Sequence, residues 1–342
     1  LLPLGISGFL LWLLTRGLSW QRIADSLAGA PPWLLAAYAL LTLAGLFLRA
    51  VRFRLLLPAP RPATAPLALA TLVQNCLGDL VPARLASLGS YVFILSRRLS
   101  VAPAVSAATF ILSFALDLAT LGPVLLLATA IRAGQLSPAF REHVPTGWVV
   151  AAALLLLGVA CLIVLRFGAI VRSSGRVLTA VVAVLGMRDA PSIGAATEGL
   201  EKAAAALDRI DTARAFAGAF SLSLLIRMAK YVALMALMHG ILQGAGGVDR
   251  VPSFWDLVIG VSVTEGLAAL PLPTLGQFGV WEGGMIGVLV LLGLPREPAT
   301  IAAVAIHAVT QGFEFLLGMI ALGLILLLYR RPAASSPDSP AA

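Results

Sequence analysis

Several side chains that can do acid–base or ionic chemistry sit where the surrounding sequence is apolar. Ser106, Thr109, Ser113, Asp117 and Thr120 recur at three- and four-residue intervals, so on a helix they share one face with the carboxylate near its middle. His307, Gln311 and Glu314 repeat the pattern further along, while Arg227 and Lys230 supply the opposite charge. An ionised group at the bilayer centre costs about 2.5–3.5 kcal/mol on insertion scales, so such residues face a cavity or a partner. The chemistry within their reach is recognition of a charged lipid headgroup or relay of a proton, with His307 and Gln311 as the relay candidates. The plainer alternative is structural. Asp117 or Glu314 would pair with Arg227 or Lys230 to hold helices together, and Ser106 and Thr109 would make ordinary helix-to-helix hydrogen bonds.

The densest stretch runs from Glu265 to Gly284. Pro271 and Pro273 end one helix, and Gly276 and Gly279 precede another whose first turn carries Glu282. Backbone broken at membrane depth is tolerated only where protein or a water-filled cavity satisfies it. A half-helix starting near Gly279 would turn free N–H groups toward an anion such as a lipid phosphate. Glu282 capping the same N–H groups is the competing reading. Leu67–Ser96, with Asn75, Asp79, Pro82, Arg84 and Ser87, is a looser counterpart, and corresponding breaks in two halves of a transporter mark its site. Headgroup or phosphate contact is therefore assigned to Arg84, Arg227, Lys230 and the backbone from Gly276 to Gly279. Asp117, Glu265, Glu282 and Glu314 are assigned to amine contact, charge balance or proton coupling.

The elements that must position these residues follow from composition. Of 342 residues 60% are hydrophobic and 12% charged, against about 25% charged in a soluble domain, which excludes a water-soluble enzyme. Six segments read as full crossings: Leu1–Leu14 (truncated, and lacking a small-residue cleavage site before Thr15-Arg16-Gly17), Trp33–Leu48, Val101–Ala130, Trp148–Leu165, Ala213–Leu242 and Thr300–Leu328. Leu67–Ser96 and Trp255–Leu294 read as Pro/Gly-broken re-entrant hairpins, or as pairs of spans that bring the total to eight to ten. The fold class is thus all-α, a polytopic membrane helix bundle forming a single integral membrane domain over 1–331. A loop at 166–212 carries interfacial helices, and 332–342 is a disordered tail.

Orientation comes from the 24 Lys and Arg residues, whose excess over 16 acids gives a net charge of +8. With the N-terminus inside, fifteen fall on the inner side, Arg49, Arg52, Arg54, Arg97 and Arg98 among them. Arg16, Arg22, Arg132, Arg141, Arg250 and Arg296 fall outside, and Arg84, Arg227 and Lys230 lie within apolar segments. The bias predicts both termini in the cytoplasm, and Trp33, Trp148 and Trp255 each open a segment at the outer interface. The positive charge is explained by cytoplasmic loops facing anionic lipid, so no nucleic-acid partner is expected. Cys76 and Cys161 read as small buried hydrophobes. His143, His239 and His307 are dispersed, with no metal-ligand spacing and no Walker loop, so no metal or cofactor is expected.

The sequence resembles the membrane region of lysylphosphatidylglycerol synthases, a flippase-like family that also occurs as stand-alone membrane proteins. The resemblance covers most of the chain. It rests on Arg49-Ala50-Val51-Arg52-Phe53-Arg54-Leu55-Leu56-Leu57, on Asn75 ahead of Pro82-Ala83-Arg84, on Asp117, and on Leu270-Pro271 through Gly276, Gly279, Glu282 and Gly283. It departs from the family where Ser90 follows Gly89 and where Ser113 and Phe114 precede the aspartate. The resemblance implies a helical bundle with re-entrant elements that moves a lipid headgroup between leaflets. The soluble synthase domain and its reaction are not carried over. The expected function is a flippase for a phospholipid or polyprenyl-phosphate-linked lipid in a bacterial cytoplasmic membrane. A membrane-embedded lipid-modifying enzyme and a non-catalytic subunit of a glycosyltransferase or synthase are the rivals. Expected partners are the lipid substrate, the bilayer, a lipid-modifying enzyme and further copies of the chain.

Overall fold

A computed structural model describes residues 2–80, 85–132, 134, 146–166, 212–246, 251–268 and 274–329, and among these every regular element is an α-helix. In chain order the described helices are α1 (Leu2–Thr15), α2 (Trp20–Ala28), α3 (Pro32–Leu56), α4 (Thr64–Leu80), α5 (Leu85–Arg98), α6 (Pro103–Arg132), α7 (Thr146–Leu165), α8 (Thr212–Gly244), α9 (Phe254–Ala268), α10 (Val280–Leu291) and α11 (Arg296–Leu328). Local sequence sets where they begin. Proline opens α3 and α6 and directly precedes α11, positions where its missing N–H costs nothing. Ser253 and Asp256 cap the start of α9 reciprocally: the Ser253 N–H donates to Asp256 Oδ2 at 3.0 Å and the Asp256 N–H to Ser253 Oγ at 3.2 Å.

α3, α6, α8 and α11 are long and apolar enough to cross a bilayer, and α1, α7 and α10 contain shorter apolar helical stretches. The outward side of α11 is apolar, with Leu316, Met319, Leu327 and Leu328 exposed as lipid contact requires. One helix was not anticipated from sequence. The amphipathic α2, with the Ser19 hydroxyl accepting the Arg22 N–H, buries Ile23 and Ser26 against α8, where Ser26 Oγ donates to the Ile241 carbonyl at 2.6 Å. The expected interfacial helices within 166–212, the tail at 332–342 and Arg84 lie outside the described residues.

Two helix boundaries correct the sequence reading. The second crossing does not end at Leu48 but continues as α3 to Leu56, so Arg49, Arg52 and Arg54 are helical rather than loop residues. Arg132 closes α6 and is buried, not in an outer loop. In both cases a cation inside the bundle finds a carboxylate on a neighbouring helix, and the helix persists past the last apolar residue of its run.

α3 packs along α8, α6 along α7, and α4 along α11, while α4 pairs with α5 and α9 with α10 as helical hairpins. Their arms, from α4's 17 residues down to α10's 12, extend about 18–26 Å at 1.5 Å per residue, less than the hydrocarbon core of about 30 Å. Among the described residues two apolar cores result. One joins α6, α8, α9, α10 and α11 through Val124, Leu237, Met238, Leu257, Met285 and Ile306. The other joins α3, α4, α5 and α11 through Phe53, Leu67, Tyr91, Leu95 and Ile325. Asp117, Arg227 and Gln311 lie near the midpoints of α6, α8 and α11, between the two cores.

Candidate functional site

Between those cores is a cavity of about 260 Å³ whose wall comes from α3, α4, α5, α6, α8, α9, α10 and α11 and the Gln277 turn. It carries charge of both signs. Arg49, Arg52 and Lys230 face it with Asp117, Glu265 and Glu314, and Gln74, Asn75, His307 and Gln311 add neutral polar groups. Tyr38, Phe53, Phe110, Phe114 and Trp281 complete the lining.

Arg52 is the anchor of this wall. Its guanidinium grips Asp117 with two bonds, Nη1 to Oδ1 at 2.5 Å and Nη2 to Oδ2 at 3.1 Å. The same nitrogens donate to Ser223 Oγ at 2.6 Å and Ser113 Oγ at 2.5 Å. Three crossing helices, α3, α6 and α8, are thereby tied at one planar group, which suits a fork-shaped cation and no other side chain. Arg49, one turn earlier on α3, donates to Asn75 Oδ1 at 3.0 Å and brings in α4. Arg54, off that face, is exposed.

Arg227 stands behind the wall rather than in it. It donates to the Asp117 carbonyl at 2.5 Å, to Thr120 Oγ1 at 3.2 Å, to Tyr231 Oη at 3.2 Å and toward Glu265 Oε2 at 3.5 Å. Lys230 forms an ion pair with Glu265 Oε1, and that pair does face the cavity. Of the hydroxyls on the α6 stripe, Ser113 accepts from Arg52, whereas Ser106 and Thr109 bond back to the carbonyls of Ala102 and Val105, as structural residues do.

The glycine break turns inward. Glu282 is fully buried, and its Oε2 accepts the Gly279 N–H at 2.7 Å. The Phe278 N–H donates to the Leu275 carbonyl, those of Val280 and Trp281 to the Gln277 carbonyl, and that of Leu275 to Ser7 Oγ on α1. Of the amides assigned to phosphate, those of Phe278 and Gly279 are thus engaged by the protein, and Gln277 lines the cavity whereas Gly276 and Gly279 do not. Both adopt the left-handed region, with φ of +58° and +91°, and at Gly279 a Cβ would strike Leu10 of α1. The other oxygen of Glu282 meets His307 Nδ1 at 2.8 Å, and Trp281 stacks on the imidazole with centroids 4.8 Å apart.

Of the residues singled out from sequence, the fold brings Asp117, Lys230, Glu265, Glu314, His307 and Gln311 to one cavity. It sets Arg227 and Glu282 immediately behind that wall. Sequence reasoning missed Arg49 and Arg52 as wall residues because hydropathy ended the second crossing too early, and it did not single out Gln74 of α4. The available signal was the three-residue spacing of Arg49 and Arg52, which puts both on one helical face.

Residues 1–318 match the lysylphosphatidylglycerol synthase TM region. The chain belongs to this family. No curated protein matches it. The family's name denotes a membrane region with a lipid connection, which agrees with the apolar helices and makes this an integral membrane protein.

Proposed function

We propose that this family member is a lipid transporter that carries a phospholipid or polyprenyl-phosphate-linked headgroup across the bilayer through the α3–α6–α8–α11 cavity. The observation that carries this reading is the cavity itself, with three cations and three carboxylates on its wall midway between two apolar cores. Moving a bare headgroup charge into a medium of low dielectric is prohibitive, and paired wall charges lower that cost by exchanging partners with the headgroup. At about 260 Å³ the cavity falls below the roughly 300–1,000 Å³ of pockets that enclose a drug-sized ligand. It suits a headgroup whose acyl chains stay in lipid.

In this reading six crossings, counting α1 and α7, place both termini in the cytoplasm, and α4–α5 and α9–α10 are re-entrant hairpins. Arg49, Arg52, Lys230 and Arg84 serve the phosphate, and Asp117, Glu265 and Glu314 serve a cationic group or balance the charge. The protein acts on lipid position rather than lipid bonds, in a bacterial cytoplasmic membrane, alongside a lipid-modifying enzyme. Purified protein in vesicles with fluorescent lipids of several headgroups tests this by the fraction of label that becomes reachable from outside. Faster exchange than in protein-free vesicles for at least one headgroup supports the reading. Equal rates for the whole panel overturn it.

A further inference from the structure

The His307–Glu282 pair joins the glycine break to the middle of α11, and its chemistry is not used by headgroup contact alone. The Glu282 carboxyl meets the Gly279 N–H at 2.7 Å on one oxygen and His307 Nδ1 at 2.8 Å on the other. With the carboxylate as acceptor, Nδ1 carries the ring hydrogen and Nε2 is left with its lone pair. Nε2 is buried and has no hydrogen-bond partner among the described residues, although His307 itself lines the cavity. Trp281 stacks on the ring and Phe278 lies against it with centroids 4.6 Å apart, so His307 is fixed in place. A fixed imidazole with one nitrogen committed and the other vacant is a one-proton site.

The groups around it decide what that proton does. On the cavity wall are Arg49 and Arg52 from α3, Lys230 from α8, Asp117 from α6, Glu265 from α9 and Glu314 from α11, with Tyr38 from α3. Behind the wall are Arg227 from α8 and Glu282 from α10. With His307 neutral, the cations and carboxylates of this set are equal in number. Protonation leaves one positive charge in excess, which favours an anionic headgroup, and loss of the proton restores balance and weakens the hold.

We propose that His307 Nε2 is a proton-binding site through which the transporter moves a proton together with an anionic lipid headgroup. The proton passes from water to the Nε2 lone pair and back to water, and no covalent bond of the protein is exchanged. Coupling rests on the transporter reading, whereas proton binding at His307 does not.

The test uses the full chain in vesicles with a pH-sensitive dye inside and fluorescent phosphatidylglycerol or phosphatidylcholine in the bilayer. The wild type is expected to move phosphatidylglycerol faster down an imposed proton gradient, with dye acidification, by up to about tenfold per pH unit, the limit for one proton. His307→Gln is expected to flatten that dependence and abolish the dye signal. Glu282→Gln keeps an oxygen for the Gly279 N–H and is expected to shift the dependence, which guards against misreading a folding defect. With the other five tryptophans replaced by phenylalanine, Trp281 fluorescence gives a reading independent of transport, since an imidazolium quenches a stacked indole more than a neutral ring does. A pH-dependent quench lost in His307→Gln establishes the proton site even if no lipid moves, and then only the transporter reading fails. Phosphatidylglycerol movement with no pH dependence, or a quench unchanged in His307→Gln, overturns the proposal.

Discussion

Among the described residues two arginine–aspartate pairs are held inside this bundle, and they have opposite characters. Arg132 at the end of α6 meets Asp256 in the first turn of α9 with two bonds, Nε to Oδ1 at 2.9 Å and Nη2 to Oδ2 at 3.1 Å. Asp256 also caps its own helix through the Ser253 N–H and hydroxyl, and its side chain is 3% exposed. The cation sits at a helix C-terminus and the anion at an N-terminus, so both dipoles favour the pair. Arg52 and Asp117 are gripped as tightly, yet they lie inside their helices, and the Asp117 side chain is 34% exposed to the cavity. One pair is closed and serves assembly. The other keeps a carboxylate face open beside further charges, as the proposed transport path requires.

The largest effects come from breaking either pair on one side. Asp256→Ala and Asp117→Ala each leave a buried guanidinium without its carboxylate, and each is expected to lose about 3–5 kcal/mol, read as a steep fall in thermal midpoint in detergent. Replacing a whole pair separates the two roles. Arg132→Met with Asp256→Leu, and Arg52→Met with Asp117→Leu, are each expected to recover most of that stability, because exchanging a buried ion pair for apolar groups of similar size is often neutral. Arg52→Lys is expected to cost about 1–3 kcal/mol by losing the planar fork and its bonds to Ser113 and Ser223, visible in the same melts. The smallest effect on stability is expected for Glu265→Gln, about 0–1 kcal/mol, because its nearer partner Lys230 is half-exposed and Arg227 is met only at 3.5 Å. Its readout is headgroup preference in the vesicle assay, which should shift while the melt does not.

Much of this bundle was legible in the sequence, for a physical reason. Apolar runs and Pro/Gly breaks report what the bilayer demands of each segment, so Val101–Ala130 and Thr300–Leu328 match α6 and α11 closely. The polar stripes of α6 and α11 were legible because helical spacing alone puts Asp117 on one face and His307, Gln311 and Glu314 on another. Partner choice was not, because it depends on how helices cross. Asp117 pairs with Arg52 rather than with Arg227 or Lys230, and those two meet Glu265. The Gly276–Gly279 break was legible as a break, but which acceptor takes its amides depends on Glu282, Gln277 and Ser7 arriving from three places.

The most direct test of the distinction between site and strut compares the two whole-pair replacements for lipid movement per folded molecule in reconstituted vesicles. The account predicts that Arg52→Met with Asp117→Leu falls to the rate of protein-free vesicles while Arg132→Met with Asp256→Leu keeps the wild-type rate. Equal rates in the two would contradict it.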